Sequence, residues 1–206
     1  ASLQERLIRL VRSYRVRGHL IAKLDPLGIP RPPQPELFPA FYGFTDEDLD
    51  RVFPGDCVHA MEPLSLRQIV ARLRRTYCEN IGVQYMHIDD LVMKQWLEER
   101  MEITENKIVL THSQQLKTLT KLTDAVLFEE FIQKKFMGSK SFSLEGSESI
   151  IPLLTQPLEI ASEDGMEEVV IAMAHRGRLN VLANIMGKNP RQIFTEFADK
   201  DPLALL

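Results

Sequence analysis

The chain has 206 residues, a net charge of −4 and an apolar share of 44%, ordinary values for one full globular domain or two small ones. No stretch of eighteen apolar residues occurs, which excludes a membrane-spanning helix, and the charged opening ASLQERLIRL does not read as a secretory leader. Two cysteines, Cys57 and Cys78, make neither a disulfide framework nor a metal site and point to a reducing compartment.

Ser2 and Glu5 have the spacing of a capping box, and Leu3, Leu7, Leu10, Val11 and Tyr14 follow at helical spacing. Gly18 weakens this helix and Asp25-Pro26 stops it. The proline-rich stretch GIPRPPQPELFPAFYGF is expected to run extended over a surface. Thr45 opens a short helix through Asp48, Leu49 and Phe53. Ser65 and Gln68 form a second capping box before the apolar stripe Leu66, Ile69, Val70, Leu73 and Tyr77. Asp89 or Asp90 caps LVMKQWLEERME, whose inner face is read as Val92, Trp96 and the Leu97–Met101 edge. Two further helices fit SQQLKTLTKL and DAVLFEEFIQKKFM.

The pattern changes after Met137. KSFSLEGSESIIPLL reads as a short strand, a turn at Glu145-Gly146 and a helix from Ser147. After the acidic turn SEDGMEE, Val169–Met173 reads as a second, buried strand, followed by the helix LNVLANIM. The expected fold is therefore mixed: a mainly helical region over 1–137, then the start of a parallel-sheet α/β domain over 138–206.

One cluster calls for a chemical reading. His175, Arg176, Gly177 and Arg178 crowd the turn between the expected second strand and its helix. In an open parallel sheet, ligands bind at the carboxyl ends of strands, and helix N-termini attract anions. Arginine forks match carboxylates and phosphates, a histidine donates or accepts near an anion, and a glycine permits a tight turn. The pattern points to an anion site, with a plain surface loop paired to Glu167 or Glu168 as the competing reading. Glu145 lies near the same place. His19, His59, His87 and His112 lack a second ligand at metal spacing. The N-terminal stripe of Arg6, Arg9, Arg12, Arg15, Arg17 and Lys23 faces a single acid, Glu5. It is either a nucleic-acid contact or a solvated face or subunit contact, and the mildly acidic total favours the latter.

Four segments, YRVRGHLIAKLDPLG, YMHIDD, FSLEGSESIIPLL and AMAHRGRLNVLANIM, occur in an order and at approximate spacings that resemble the decarboxylating first component of the 2-oxoglutarate dehydrogenase complex, over nearly the whole chain. The resemblance implies a mainly helical N-terminal region followed by the start of a parallel-sheet, thiamine-diphosphate-binding domain. It implies thiamine diphosphate and magnesium as cofactors and 2-oxoglutarate as substrate. A lipoyl domain of the succinyltransferase core would be the acceptor, and a homodimer the assembly, in the bacterial cytoplasm or the mitochondrial matrix. No nucleic-acid or membrane partner is implied. His175 falls on the histidine of the family's HRGRLNVL motif, which helps recognise the substrate's distal carboxylate; Arg176, Gly177 and Arg178 are expected to position it. The family's usual arginine before FSLEG is Ser141 here. The GDG fingerprint that holds magnesium and diphosphate does not occur, so this chain by itself is expected to be inactive. A 2-oxoadipate dehydrogenase subunit and a non-catalytic helical or nucleic-acid-binding module are the alternatives.

Overall fold

The computed structural model describes residues 2–197. The chain divides into two compact units between Val109 and Leu110, ahead of the change of pattern at Met137. The first unit begins with α1 (Leu3–Arg17), opened by the expected capping box of Ser2 and Glu5. Its stripe of Leu7, Leu10, Val11 and Tyr14 is buried. The helix passes into a 3-10 turn over Gly18–Ile21, and α2 (Leu66–Tyr77) packs so close at Gly18 that a Cβ there would lie 2.6 Å from Tyr77 Cβ. The proline-rich stretch is partly extended, as expected, but it also folds into short 3-10 turns over Pro35–Leu37 and Pro39–Tyr42. Tyr14 Oη donates to Leu37 O at 2.7 Å and fixes this strap. The expected short helix after Thr45 is a 3-10 turn over Asp46–Asp50. It leads into β1 (Val52–Phe53), which pairs antiparallel with β2 (Leu64–Ser65) in the register Val52↔Ser65, Phe53↔Leu64.

The helix α3 (Leu91–Thr104) is capped by Asp90, whose carboxylate accepts from Met93 N. Its inner face differs from the expected one. Val92 and Trp96 are exposed, whereas Leu97 and Met101 pack on the core beside the inward-facing Glu98 and the fully buried Glu102. The reason is charge pairing: Arg15 on α1 reaches Glu102 with two hydrogen bonds of 2.8 and 2.9 Å, which makes a buried carboxylate tolerable.

In the second unit the two expected helices are one, α4 (His112–Lys135). Thr118, Thr120 and Thr123 turn their hydroxyls onto the carbonyls four residues back, so their polar groups are satisfied inside the helix and do not break it. Helices α5 (Ile150–Glu163), α6 (Arg178–Asn184) and α7 (Pro190–Phe197) follow. Ala125, Leu144, Ile151 and Val181 form one buried cluster, and Phe128, Ile132 and Ile193 another.

Neither expected strand of the second unit forms. The segments 141–145 and 169–173 have no regular secondary structure, and Val169, Val170 and Met173 are exposed. Strand formation needs a partner ladder for the backbone N–H and C=O groups. Among the described residues neither segment has one, so a high β propensity alone does not make the sheet. The only sheet described is the β1–β2 pair, and the start of a parallel-sheet domain is not seen. No helix among the described residues is long and apolar enough to cross a membrane.

Candidate functional site

In the second unit the FSLEG segment and the HRGR turn lie against each other. Gly177 N donates to Phe142 O at 2.6 Å, and Arg176 Nη2 donates to Glu145 O at 2.5 Å. The rings of Phe142 and His175 stack with centroids 4.8 Å apart and an interplanar angle of 26°. Arg178 N donates to His175 O at 3.1 Å, which closes the turn as α6 begins. Gly177 is the N-cap of α6, with φ +73°. A Cβ there would meet Leu144 Cδ1 at 2.4 Å, and Leu144 is buried. Two separate demands, a left-handed backbone and contact with Leu144, thus select glycine.

Behind the turn, Asn180 anchors α6 to α4. It is fully buried, and its Nδ2 donates to Ala125 O and Glu129 Oε1, both at 2.9 Å. Its Oδ1 accepts from Asn184 Nδ2 at 2.7 Å. The sequence reading passed over Asn180. An asparagine inside a short helix with no nearby capping role was the available signal, because a buried amide must find partners.

His175 follows the segment expected as a strand and precedes a helix, so the turn stands where expected while the strand does not. His175 and Arg178 are exposed, and Arg178 forms no ion pair among the described residues. Arg176 is engaged with the Glu145 carbonyl and not with Glu167 or Glu168, so the pairing that would make this a plain charged loop is not formed. Glu145 belongs to the same cluster through its backbone; its Oε2 accepts from Gln133 at 3.3 Å. Ser141, where the resembled family has arginine, is half-buried. The turn presents two exposed side chains, the His175 imidazole and the Arg178 guanidinium, each of a type that donates to carboxylates.

The first unit holds a second cluster that sequence spacing did not reveal. His59 Nε2 lies 3.3 Å from Glu98 Oε1 and 4.0 Å from Glu102 Oε2, and the three side chains offer atoms within 4.8 Å of one another. Arg15, however, sits on both carboxylates and on Cys57 O, and Tyr77 Oη donates to Glu102 Oε1 at 2.6 Å. A guanidinium already supplies the positive charge that a metal ion would bring. Burial opposes the Arg15 charge, but the hydrogen bonds and charge of Glu102 more than offset it and keep the group protonated. Burial, reinforced by Glu102, likewise holds the Tyr77 phenol well above its usual range. This network ties α1, α2 and α3 together. Four of the six residues of the N-terminal basic stripe have partners: Arg15 faces inward, Arg6 donates to Gly43 O, Arg17 pairs with Glu36 and Lys23 with Glu79, while Arg9 and Arg12 are exposed.

The four resembling segments agree with comparison to known proteins. The chain is homologous to 2-oxoglutarate dehydrogenase E1 components, matching an N-terminal part of those larger proteins over most of its own length. Relatives bearing that name in Brucella ovis, Brucella canis and Brucella abortus are each 46% identical over 194 residues, 93% of this chain. The chain spans 19% of the length of these relatives. No protein-family model matches it.

Proposed function

We propose that this chain is part of a thiamine-diphosphate-dependent 2-oxoglutarate dehydrogenase, in which His175 receives the distal carboxylate of the substrate. The complete enzyme would decarboxylate 2-oxoglutarate and pass the succinyl group to a lipoyl arm of the succinyltransferase core, as a homodimer, in the cytoplasm or mitochondrial matrix. The observation that carries the reading is the mutual docking of the FSLEG segment and the HRGR turn, far apart in sequence, with His175 left open to solvent. The relatives named for 2-oxoglutarate favour that substrate over 2-oxoadipate, which is one methylene longer.

Thiamine diphosphate supplies an electron sink for decarboxylation when bound. The described residues do not fit as its holder. Magnesium with a diphosphate calls for oxygen ligands in octahedral array, and the one cluster of three candidate ligands found among the described residues is His59, Glu98 and Glu102, already neutralised by Arg15. The chain by itself is proposed to be inactive. What its residues contribute is binding and orientation. An imidazole N–H of His175 donates to the distal carboxylate, and Arg178 adds a positive charge.

In the full-length enzyme, His175→Ala removes one charge-assisted contact, worth about 1.5–3 kcal/mol, so kcat/KM on 2-oxoglutarate falls roughly 10- to 150-fold. A 2-oxo acid with an apolar tail, which never used the contact, keeps its efficiency, and thiamine diphosphate affinity is unchanged. Steady-state kinetics on both substrates decide it. A parallel loss on both, together with the cofactor affinity, assigns His175 to cofactor or fold and ends the substrate-recognition reading.

A further inference from the structure

Phe142 has a backbone that its residue type does not favour. Its φ is +48°, the left-handed region, where a bulky aromatic residue is a true outlier. Burial does not account for this, because the side chain is 50% exposed. Strained positions persist where the surrounding structure over-determines them, and they collect at working sites. Both halves of Phe142 touch one neighbour, the turn that carries His175. The carbonyl accepts from Gly177 N at 2.6 Å, and the ring stacks on the imidazole at 4.8 Å. The Phe142 face lies against one side of the imidazole at 26° to it, so the ring nitrogens at its edge are left to meet a ligand.

We propose that Phe142 is a positioning residue that holds His175 in the orientation in which its edge meets the substrate carboxylate. The strained backbone aims both the carbonyl and the ring at the same turn, so the hydrogen bond sets where the turn lies and the stack sets which way the imidazole faces. This rests on the assignment of His175 to substrate recognition. A hydrogen bond weakens steeply once the N–H···O angle falls below about 120°. An imidazole free to swing would therefore hold its hydrogen bond for only part of the time.

Two measurements test it. In the NMR spectrum of this chain, the His175 ring protons should lie upfield of their free-imidazole positions. They should stay there in Phe142→Tyr, which keeps an aromatic face, and return toward the free positions in Phe142→Leu. Free-imidazole positions in the unsubstituted chain overturn the proposal, because then no stack exists. In the full-length enzyme, Phe142→Leu should lower kcat/KM on 2-oxoglutarate roughly tenfold, as expected for a recognition group displaced by a fraction of an ångström. Phe142→Tyr should restore it, and in the His175→Ala background Phe142→Leu should add nothing. A fall for His175→Ala with none for Phe142→Leu overturns the positioning role alone. An equal fall for Phe142→Leu with and without His175 assigns Phe142 to folding and also overturns it. An unchanged His175→Ala enzyme overturns the underlying reading of the site, and the role of Phe142 with it, even where the ring-proton shifts behave as expected.

Discussion

Gly177→Ala separates the two reasons for glycine at the centre of the site. The first is conformational: φ is +73°, and a left-handed backbone costs a residue with a Cβ about 1–2 kcal/mol. The second is steric. The new methyl would lie 2.4 Å from Leu144 Cδ1, 3.2 Å from Cγ and 3.3 Å from Cβ, and Leu144 is 1% exposed within the cluster of Ala125, Ile151 and Val181. A buried leucine has little room to retreat, and overpacking of this kind costs about 1–3 kcal/mol. The expected loss for the second unit is therefore about 2–5 kcal/mol. Gly165→Ala supplies the control, since its φ is +83° and nothing lies within 4 Å of the added Cβ. It should lose only the conformational part. The assay is amide exchange of Val181, whose N–H donates to Gly177 O at 3.0 Å, alongside urea unfolding followed by circular dichroism. Trp96, the one tryptophan of the chain, lies in the first unit, and its fluorescence midpoint should not move. Equal losses for the two alanine variants would refute the reasoning, because Leu144 would then be shown to yield freely.

Asn180 in the second unit and Glu105 in the first are polar side chains held by partners. Asn180→Ala removes the donor shared by Ala125 O and Glu129 Oε1 and leaves a buried acceptor unpaired, at about 1–3 kcal/mol by urea unfolding of the second unit. Asn180→Asp should cost more at neutral pH, by setting a carboxylate against Glu129, and should recover part of the loss on acidification; equal stability of the two variants at pH 7 refutes the placement of Asn180 against Glu129. In the first unit, the Arg75 hydrogen bond, helped by the charges of Arg75 and Arg72, holds the Glu105 carboxyl below its ordinary range. A depressed carboxylate adds stability that is present above the unfolded pKa, about 4.3, and is lost as pH falls through the folded value. The acid limb of Trp96-monitored stability should thus flatten in Glu105→Gln, and an unchanged limb shows that the contact is screened away.

Capping was legible because it is local. The boxes Ser2/Glu5 and Ser65/Gln68 and the Asp90 cap each need only a neighbour three residues on, and each is present. Thr111 with Gln114 follows the same rule and opens α4, just ahead of the SQQLKTLTKL segment expected to be helical. Glu102 was beyond any local rule. Periodicity places a charged residue outward, and what turns it inward is Arg15, 87 residues away in sequence. The strands failed for a related reason. Val169–Met173 has the composition of a buried strand, but a strand is a relation between segments, and composition describes only one of them.

The site was legible at a different level from the fold around it. His175, Arg176, Gly177 and Arg178 stand out as a charged turn around a glycine; of the two grounds for an anion site there, the strand end does not form and the helix start does. What the sequence could not supply was the division of labour within the turn. Arg176 and Arg178 look equivalent in HRGR, but their surroundings separate them. Arg176 lies over Gly146, its Nη2 3.6 Å from where a Cβ would stand, and donates to the Glu145 carbonyl. A guanidinium held in this way by backbone helps fix the geometry of the turn, and its remaining donors are confined to that position. Arg178, exposed at the start of α6, keeps its donors for solvent or for an anion. The structural asymmetry of two identical side chains thus comes from a carbonyl 31 residues earlier in the chain, a contact that only the folded molecule makes.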